Sequence, residues 1–174
     1  MIGAKIIGGN GNRRELDFYP TPPEVTEALI SILDIPENSL IWEPACGGGA
    51  IVDVLRHRGY RCIGTDISQG QDYLTAEMPQ GIDWIITNPP FKLAEDFIKR
   101  SWNHNKPFAL LLKSQYWHAA KRYKLFQECT PSHIYPLTWR PDFCGGGNPL
   151  MDMCWMVWNR KTDKCEYKPI ERRL

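Results

Sequence analysis

The sequence lacks the features that mark several specialised classes of protein. Its charges almost cancel, since its 174 residues include 21 Lys and Arg against 20 Asp and Glu. This balance excludes a polybasic nucleic-acid-binding chain but is compatible with a local basic face. No apolar run approaches the roughly 18 residues of a membrane span, and the glycine-rich segment 1–14 has no signal-peptide core. The six cysteines form no C-x-x-C pair, which argues against zinc. These absences predict a metal-free cytoplasmic protein with reduced thiols.

What is present is an ordinary globular composition, 43% hydrophobic and 24% charged. At roughly 100–200 residues per domain, we predict a flexible tail over residues 1–16 and a single domain over 17–174. Apolar strand-like segments alternate with amphipathic helical ones from residue 21 to 126, which predicts an α/β fold with a mostly parallel sheet and helices on both faces. Residues 133–139 and 151–158 resemble strands with no helix between them, and predict a C-terminal antiparallel hairpin at the sheet edge.

Local signals set the bounds of these elements. Strands are predicted at 39–42, 61–66, 83–87 and 108–112, and helices at 21–34, 50–58, 94–102 and 116–126. Thr21 stands where the first helix begins and Glu24 follows three residues later, so the pair predicts a capping box in which the Thr21 hydroxyl accepts a backbone N–H. Pro22 and Pro23 fit this start, because proline is tolerated in the first helical turn.

A glycine-rich turn over residues 43–49 follows the first predicted strand. A strand, such a turn and a helix together let a cofactor approach the backbone in front of the helix N–H groups. The turn has neither the third glycine of a dinucleotide fingerprint nor the Gly-Lys-Ser/Thr of a P-loop, so a purely structural tight turn stays an alternative. Asp66 ends the next strand, 19 residues after Gly47, near the roughly 20-residue spacing of a ribose-binding acid.

The third predicted strand delivers Asn88-Pro89-Pro90-Phe91 to its carboxyl end, where open α/β sheets bind ligands. The two prolines fix the backbone and remove two N–H donors. The side-chain oxygen of Asn88 and the carbonyl of Pro89 are then free to accept from one exocyclic amino group, and Phe91 offers a ring on which a base could stack. The order of these residues indicates an amine site, with a proline-rich strand exit and a core phenylalanine as the structural alternative.

On these motifs the sequence resembles the S-adenosylmethionine-dependent N6-adenine DNA methyltransferases. The likeness rests on Asn-Pro-Pro-aromatic and on Glu-Pro-x-x-Gly-x-Gly after the first strand, covers about residues 13–160, and is closest to the small stand-alone enzymes of phages and prophages. It implies a Rossmann-like class I methyltransferase fold with S-adenosylmethionine as cofactor. It also implies methyl transfer to the N6 amine of adenine in double-stranded DNA, by direct displacement on a flipped-out base.

The resemblance implies roles for individual residues. Asn88, Pro89, Pro90 and Phe91 would hold the target base. Cofactor contacts are implied for Tyr19, Thr21, Pro22, Glu43, Pro44, Ala45, Cys46, Gly47, Gly49, Asp66, Ile67, Asp72, Tyr73 and Asn88. Among these, Thr21 would help hold the methionine carboxylate, Asp66 would bind the ribose hydroxyls, and Ile67 would pack on the cofactor adenine. Asp72 would accept from the amino group of that adenine, and Phe143 would lie near the target base as a second aromatic ring.

Basic residues interleaved with aromatic ones suggest a nucleic-acid-binding face, with a solvated helix face as the bland alternative. They are Lys113, Lys121, Arg122 and Lys124 beside Tyr116, Trp117 and Tyr123, together with Lys92, Lys99 and Arg100. Lys113 and Tyr116 are the substrate-binding candidates among them. Family members that read a DNA sequence usually carry a target-recognition domain, and no large insertion provides one here, so a homodimer or a specificity partner is left open.

Three other functions stay open at this stage. An RNA guanine-N2 or protein glutamine methyltransferase would use the same Asn-Pro-Pro-Phe site. A module that binds S-adenosylmethionine without turnover would serve as the partner of a specificity subunit. A nicotinamide-dependent oxidoreductase would use the glycine turn but would leave Asn-Pro-Pro-Phe unexplained.

Overall fold

The computed structural model describes residues 20–172, which fold around one seven-stranded sheet. Its strands are β1 Leu40–Glu43, β2 Arg61–Gly64, β3 Trp84–Thr87, β4 Phe108–Lys113, β5 His133–Pro136, β6 Met153–Trp158 and β7 Glu166–Tyr167, in the spatial order β2-β1-β3-β4-β6-β5-β7. Strands β1 to β4 pair in parallel, β6 runs antiparallel to both β4 and β5, and β7 is parallel to β5. The predicted α/β class and mostly parallel sheet are confirmed.

Helices cover both faces of this sheet. They are α1 Pro23–Ile30, α2 Ala50–His57, α3 Ala94–Asn103 and α4 Tyr123–Glu128, with short 3₁₀ helices at Ile67–Gln69, Phe91–Leu93, Ser114–His118 and Ala120–Arg122. One core cluster joins α1 and α2 to the sheet and a second joins α3 and α4 to the opposite face. Neighbouring residues of a strand point to opposite faces, so Ile85 enters one cluster and Ile86 the other. The continuous apolar strands therefore fill two cores at once.

The predicted C-terminal hairpin forms but does not lie at the sheet edge. Strand β6 is inserted between β4 and β5, and its pairing with β4 extends over six residues, from Phe108 opposite Trp158 to Lys113 opposite Met153. The edge is formed instead by β7, which the sequence analysis did not predict. Its two residues are exposed and carry no apolar alternation, so the strand depends on backbone pairing with His133 and Ile134.

Two helix predictions need correction. Helix α1 begins at Pro23 after Pro22, and no side chain caps it, so the predicted capping box is wrong because the Thr21 hydroxyl is bonded elsewhere. The helix also ends at Ile30 rather than near residue 34. The single helix predicted over 116–126 is divided into two 3₁₀ helices and α4, because Ala119 adopts an extended conformation between them.

All six cysteines lie within the described part of the chain and are free thiols. Among residues 20–172, no helix is both long and apolar enough to cross a bilayer. The predicted flexible tail over 1–16 and the predicted cofactor contact of Tyr19 lie outside the described residues.

Candidate active site

The candidate site lies where the parallel strands end. Strand β1 has β2 on one side and β3 on the other, so successive connections diverge on leaving it, and ligands bind at such a switch point in open α/β sheets. The carboxyl ends of these strands bring the glycine turn, Asp66 and Asn88 to one edge, together with Lys113 at the end of β4. We call this the functional edge.

The glycine turn has a backbone conformation that its glycines permit. Gly47 and Gly49 have φ angles of 49° and 88°, which residues with a side chain rarely adopt. The turn is held by the N–H of Cys46, which donates to the carbonyl of Thr65 at 3.0 Å, and by the N–H of Gly49, which donates to the carbonyl of Cys46 at 2.7 Å. Gly64 at the end of β2 leaves room for this turn, since a Cβ there would lie 2.9 Å from the Val52 side chain.

Asp66 joins β2 to the glycine turn. One carboxylate oxygen accepts from the N–H of Gly47 and the other from the N–H of Ser68, both at 2.8 Å. Partial burial alone would raise the pKa of Asp66, but these donated hydrogen bonds outweigh it and lower the pKa below its ordinary value. Asp66 is therefore a fixed, ionised carboxylate, and each oxygen keeps a lone pair for a further donor.

Glu43 closes β1 with a buried carboxyl group that is only 2% exposed. Its Oε2 has no hydrogen-bond partner among the described residues. Burial raises the pKa of Glu43 well above its ordinary value. A hydrogen bond from the backbone of Val52 lowers this pKa, and the nearby Asp66 and Asp53 carboxylates raise it further. A cationic group placed beside Glu43 would restore the charged form.

Asn88 is oriented by Thr21. Its side-chain Nδ2 donates to the Thr21 hydroxyl oxygen at 3.1 Å, which links the end of β3 to the segment before α1. Asn88 Oδ1 is buried and has no hydrogen-bond partner among residues 20–172. An unsatisfied buried acceptor calls for a donor, and the acceptance of an amine by this oxygen stays a prediction. The role of the Pro89 carbonyl stays a prediction.

Cations cover two of the aromatic rings proposed to contact substrate. The Lys113 ammonium lies 4.5 Å from the centroid of the Phe91 ring. The Arg122 guanidinium lies 3.8 Å from the centroid of Tyr116 and donates to the Tyr116 carbonyl at 2.6 Å. A base that stacks on the same ring face would have to displace the cation, so the substrate contacts implied for these residues stay predictions.

Several other candidates are held inside the fold. Tyr73 is 2% exposed, and its hydroxyl lies 2.7 Å from the Ser101 hydroxyl in the α3 core. Phe143 is buried in the cluster against which Phe91 packs. Asp72 accepts from the N–H of Leu74 at 3.0 Å through its side chain. The ligand contacts implied for these residues remain predictions.

Further candidates line the functional edge with different exposures. Ile67 is exposed beside Asp66, where a flat apolar ligand could cover it. The remaining members of the implied cofactor set, Pro22, Pro44, Ala45 and Cys46, are buried or half-buried around the glycine turn and the start of α1. Partial burial raises the pKa of the Cys46 thiol, and the Glu43 and Asp66 carboxylates raise it further. Cys46 is therefore a neutral thiol and a poor nucleophile.

The predicted basic face is only partly available. Lys99 pairs with Glu95 at 2.9 Å, and Arg100 donates to the carbonyl of Ala76 at 2.7 Å, so both contribute to the α3 region itself. Lys92, Lys121 and Lys124 are exposed, the first in the 3₁₀ helix that follows β3 and the other two in the helical segments that follow β4. Sequence reasoning did not anticipate that Arg122 folds back over Tyr116, because this contact depends on the break at Ala119.

Comparison with solved structures identifies the architecture. A proposed class I S-adenosylmethionine-dependent methyltransferase from Listeria monocytogenes superposes with a TM-score of 0.64 and 15% identity, over 92% of this chain and 68% of that one. The fold is that of a class I methyltransferase. A modification subunit of a proposed type I restriction enzyme from Vibrio vulnificus also superposes with a TM-score of 0.64, at 13% identity, over 87% of this chain and 47% of that one.

Sequence comparison gives a more distant result. No family model matches the chain. A type II methyltransferase of Thermus thermophilus is 27% identical over 114 residues. The matched region is 57% of this chain, and this chain spans about a quarter of that relative, 27% of its length.

Proposed function

We propose that this protein transfers a methyl group from S-adenosylmethionine to the exocyclic N6 amine of adenine in DNA. The observation that carries the proposal is Asn88, whose buried Oδ1 lacks a donor while its Nδ2 is held by Thr21. An amino group is a donor of the kind that this oxygen lacks. The class I fold and the similarity to a type II methyltransferase support the same reaction.

The residues around the glycine turn fit S-adenosylmethionine. Asp66 presents an ionised carboxylate suited to two ribose hydroxyls, and exposed Ile67 beside it suits the adenine ring of the cofactor. Glu43 offers an unpartnered buried oxygen to a cation, and the methionine part of the cofactor carries one. When bound, S-adenosylmethionine supplies an electrophilic methyl carbon, which joins the amine nitrogen while its sulfur keeps the bonding electron pair.

The chain's own residues then act on the amine. Asn88 Oδ1, assisted by the Pro89 carbonyl, accepts hydrogen bonds from the amine hydrogens, which favours a pyramidal nitrogen with its lone pair directed at the methyl group. The same oxygens stabilise the positive charge that develops on nitrogen. Holding the partners in line could supply roughly 7–11 kcal/mol. The amine loses its proton to water after transfer, so no cysteine or general base is required.

The choice of DNA rests on the similar proteins and on the exposed charges. The Thermus relative is a type II methyltransferase, and the Vibrio neighbour is a modification subunit of a restriction system. Lys92, Lys121 and Lys124, in the helical segments that follow β3 and β4, are exposed and suit a phosphate backbone. A paired adenine must leave the helix to reach Asn88, at a cost of a few kcal/mol.

The test is methyl transfer to unmethylated DNA by the purified chain, followed by mass spectrometry of the nucleosides. We expect N6-methyladenine from the wild type and a loss of at least about 100-fold in rate for Asn88→Ala, about 2.7 kcal/mol, as when one donor is removed from an oxyanion hole. Asn38→Ala, at an exposed turn before β1, is the matched control and should keep full activity.

Two other results would point elsewhere. Formation of N2-methylguanine in RNA or of methylglutamine in protein would show that the same site acts on another substrate. Cofactor binding by calorimetry without turnover on DNA, RNA or protein would favour a binding module. Circular dichroism of Asn88→Ala confirms that any loss of transfer occurs in a folded chain.

A further inference from the structure

A short loop that follows Asp66 carries Asp72. The N–H of Gln71 donates to the Asp66 carbonyl at 3.2 Å, so Asp72, the next residue, lies close to the acid proposed to bind the cofactor ribose. Asp72 is half-buried, and one of its carboxylate oxygens accepts from the N–H of Leu74 at 3.0 Å. The other oxygen has no hydrogen-bond partner among residues 20–172. This oxygen is therefore free to accept from an amino group of a ligand.

Residues 72–76 form a tight turn that is bonded to α3. The Asp72 carbonyl accepts from the N–H of Thr75 at 3.0 Å and from the N–H of Ala76 at 2.7 Å, which closes the turn. Arg100 of α3 donates from its Nη2 to the Ala76 carbonyl at 2.7 Å. The Arg100 guanidinium is thus linked to the backbone of Asp72 through a single intervening residue.

Tyr73 attaches the same turn to the core independently of Arg100. Its hydroxyl lies 2.7 Å from the hydroxyl of Ser101, and the centroid of its ring lies 4.7 Å from that of Phe97, so both contacts are with α3. On the sheet side, its ring packs against the edge of Trp42 of β1, with centroids 5.1 Å apart. The Tyr73 side chain therefore keeps the turn on the fold, while Arg100 bonds the far end of the turn.

The contact made by Arg100 leaves one of its own donors unsatisfied. Arg100 Nε is buried and has no hydrogen-bond partner among residues 20–172. A buried donor without an acceptor is unfavourable for folding. Natural proteins accept such local conflicts chiefly at functional sites, which favours a role for this side chain beyond packing.

We propose that Arg100 is a positioning residue that holds Asp72 in place to accept from the amino group of the cofactor adenine. Arg100 does not touch the cofactor. It fixes the Ala76 carbonyl, and the Ala76 N–H in turn fixes the carbonyl of Asp72. A carboxylate accepts strongly from an amino group only when it is held at hydrogen-bond distance, so freeing the turn weakens this one contact.

This proposal rests on the proposed function and extends it to the selection of the cofactor ring. The ribose contact of Asp66 is common to every nucleoside, whereas the Asp72 contact distinguishes a ring that carries an amino group from one that does not. A test must therefore separate the loss of this single contact from a general loosening of the fold.

The experiment measures the affinity of two ligands by calorimetry. They are S-adenosylhomocysteine and its 6-deamino analogue, in which purine replaces adenine and the amino group is missing. We expect the wild type to bind S-adenosylhomocysteine at least about tenfold more tightly than the analogue. Arg100→Met, which removes the donors, should bind S-adenosylhomocysteine about tenfold more weakly but stay within about twofold of the wild type on the analogue. Arg100→Lys keeps an ammonium donor and should show an intermediate preference between the two ligands.

Arg56→Met is the matched control. Arg56 on α2 also donates to a backbone carbonyl, that of Cys62 at 3.0 Å, and its loss should change neither affinity. In methylation assays Arg100→Met should raise KM for S-adenosylmethionine and leave kcat unchanged, because the adenine contact contributes equally to the ground state and the transition state.

Each other outcome has a definite meaning. Equal losses of affinity for both ligands in Arg100→Met would overturn the proposal and leave Arg100 as a part of the fold. A variant that loses no affinity, or a wild type that binds the two ligands equally, would overturn it as well. Where circular dichroism shows Arg100→Met to be unfolded, an unchanged preference in Arg100→Lys would overturn it. A wild type that binds neither ligand would instead contradict the proposed function itself.

Discussion

Glu43 stands at the end of β1 with a carboxyl group that the fold has removed from water. Burial holds its pKa well above the ordinary value, and the Asp66 and Asp53 carboxylates act in the same direction. Between the ordinary and the raised pKa, the unfolded chain has lost the Glu43 proton and the folded chain keeps it, so rising pH favours unfolding. The stability linked to this group is complete below the ordinary pKa and is lost as the pH rises through the raised one.

We expect Glu43→Gln to raise the melting temperature of the cofactor-free protein at pH 7 more than at pH 4. Each 1 kcal/mol gained corresponds to about 2–4 °C for a chain of this size. The same change should weaken S-adenosylmethionine binding about tenfold, or about 1.4 kcal/mol, because a neutral amide does not attract the cation of the cofactor. Calorimetry measures both effects.

Glu37→Gln, on the exposed turn before β1, is the control and should move neither quantity. An equal change in melting temperature for Glu43→Gln at the two pH values would show that the buried carboxyl group is not what titrates.

At the scale of elements, the junction of β2, α2 and the glycine turn is packed closely around Gly64. A Cβ at this position would lie 2.9 Å from Val52 Cγ2 and 3.2 Å from both Cβ and Sγ of Cys46. Gly64 is thus required by a close approach between elements, and it does not have one of the positive φ angles found at Gly47 and Gly49.

We expect Gly64→Ala to lower the free energy of unfolding by about 1–3 kcal/mol through overpacking. Cofactor affinity should fall as well, because the turn moves with Cys46. Urea unfolding followed by circular dichroism measures the first effect, and calorimetry the second. The double variant Gly64→Ala with Val52→Ala should recover part of both, since it removes the nearest atom. Gly146→Ala, at an open position without a positive φ, is the neutral control.

At the scale of the whole molecule, two buried tryptophans of β6 tie the sheet to opposite layers. Trp155 Nε1 donates to the Val25 carbonyl of α1 at 2.9 Å, and Trp158 Nε1 donates to the Cys129 carbonyl after α4, also at 2.9 Å. The first bond holds α1 against the sheet. Helix α1 begins two residues after Thr21, whose hydroxyl accepts from Asn88. The second lies in the other core, at the last residue of β6.

This arrangement provides a matched pair of variants. Trp155→Phe and Trp158→Phe should each cost about 1–3 kcal/mol of stability, because each leaves a buried carbonyl without its donor. Only Trp155→Phe should also lower the methylation rate, since it loosens α1 and the Thr21–Asn88 contact. The comparison is made at a temperature where thermal melts show both variants folded. Equal losses of activity would mean that α1 does not position the site.

Strong local patterns account for what could be predicted. Apolar runs such as residues 108–112 predicted buried parallel strands, and the polar or glycine-rich motifs that follow them then had to lie at the carboxyl edge. Local signals failed where a distant partner competed. The Thr21 hydroxyl was expected to cap α1 and instead accepts from Asn88, 67 residues away. A hydrogen bond to a residue so far away in the chain cannot be predicted from the few residues around Thr21.

The sequence by itself determined the class of fold and the edge at which the motifs meet, because the period of apolar residues and the direction of parallel strands depend on local chemistry. The tertiary structure alone decided that β6 lies between β4 and β5, that Asn88 is held by Thr21, and that Trp139 Nε1 is left without a partner among the described residues. These features arise from contacts between segments far apart in the chain. Which of these contacts form depends on close packing of the two hydrophobic cores together.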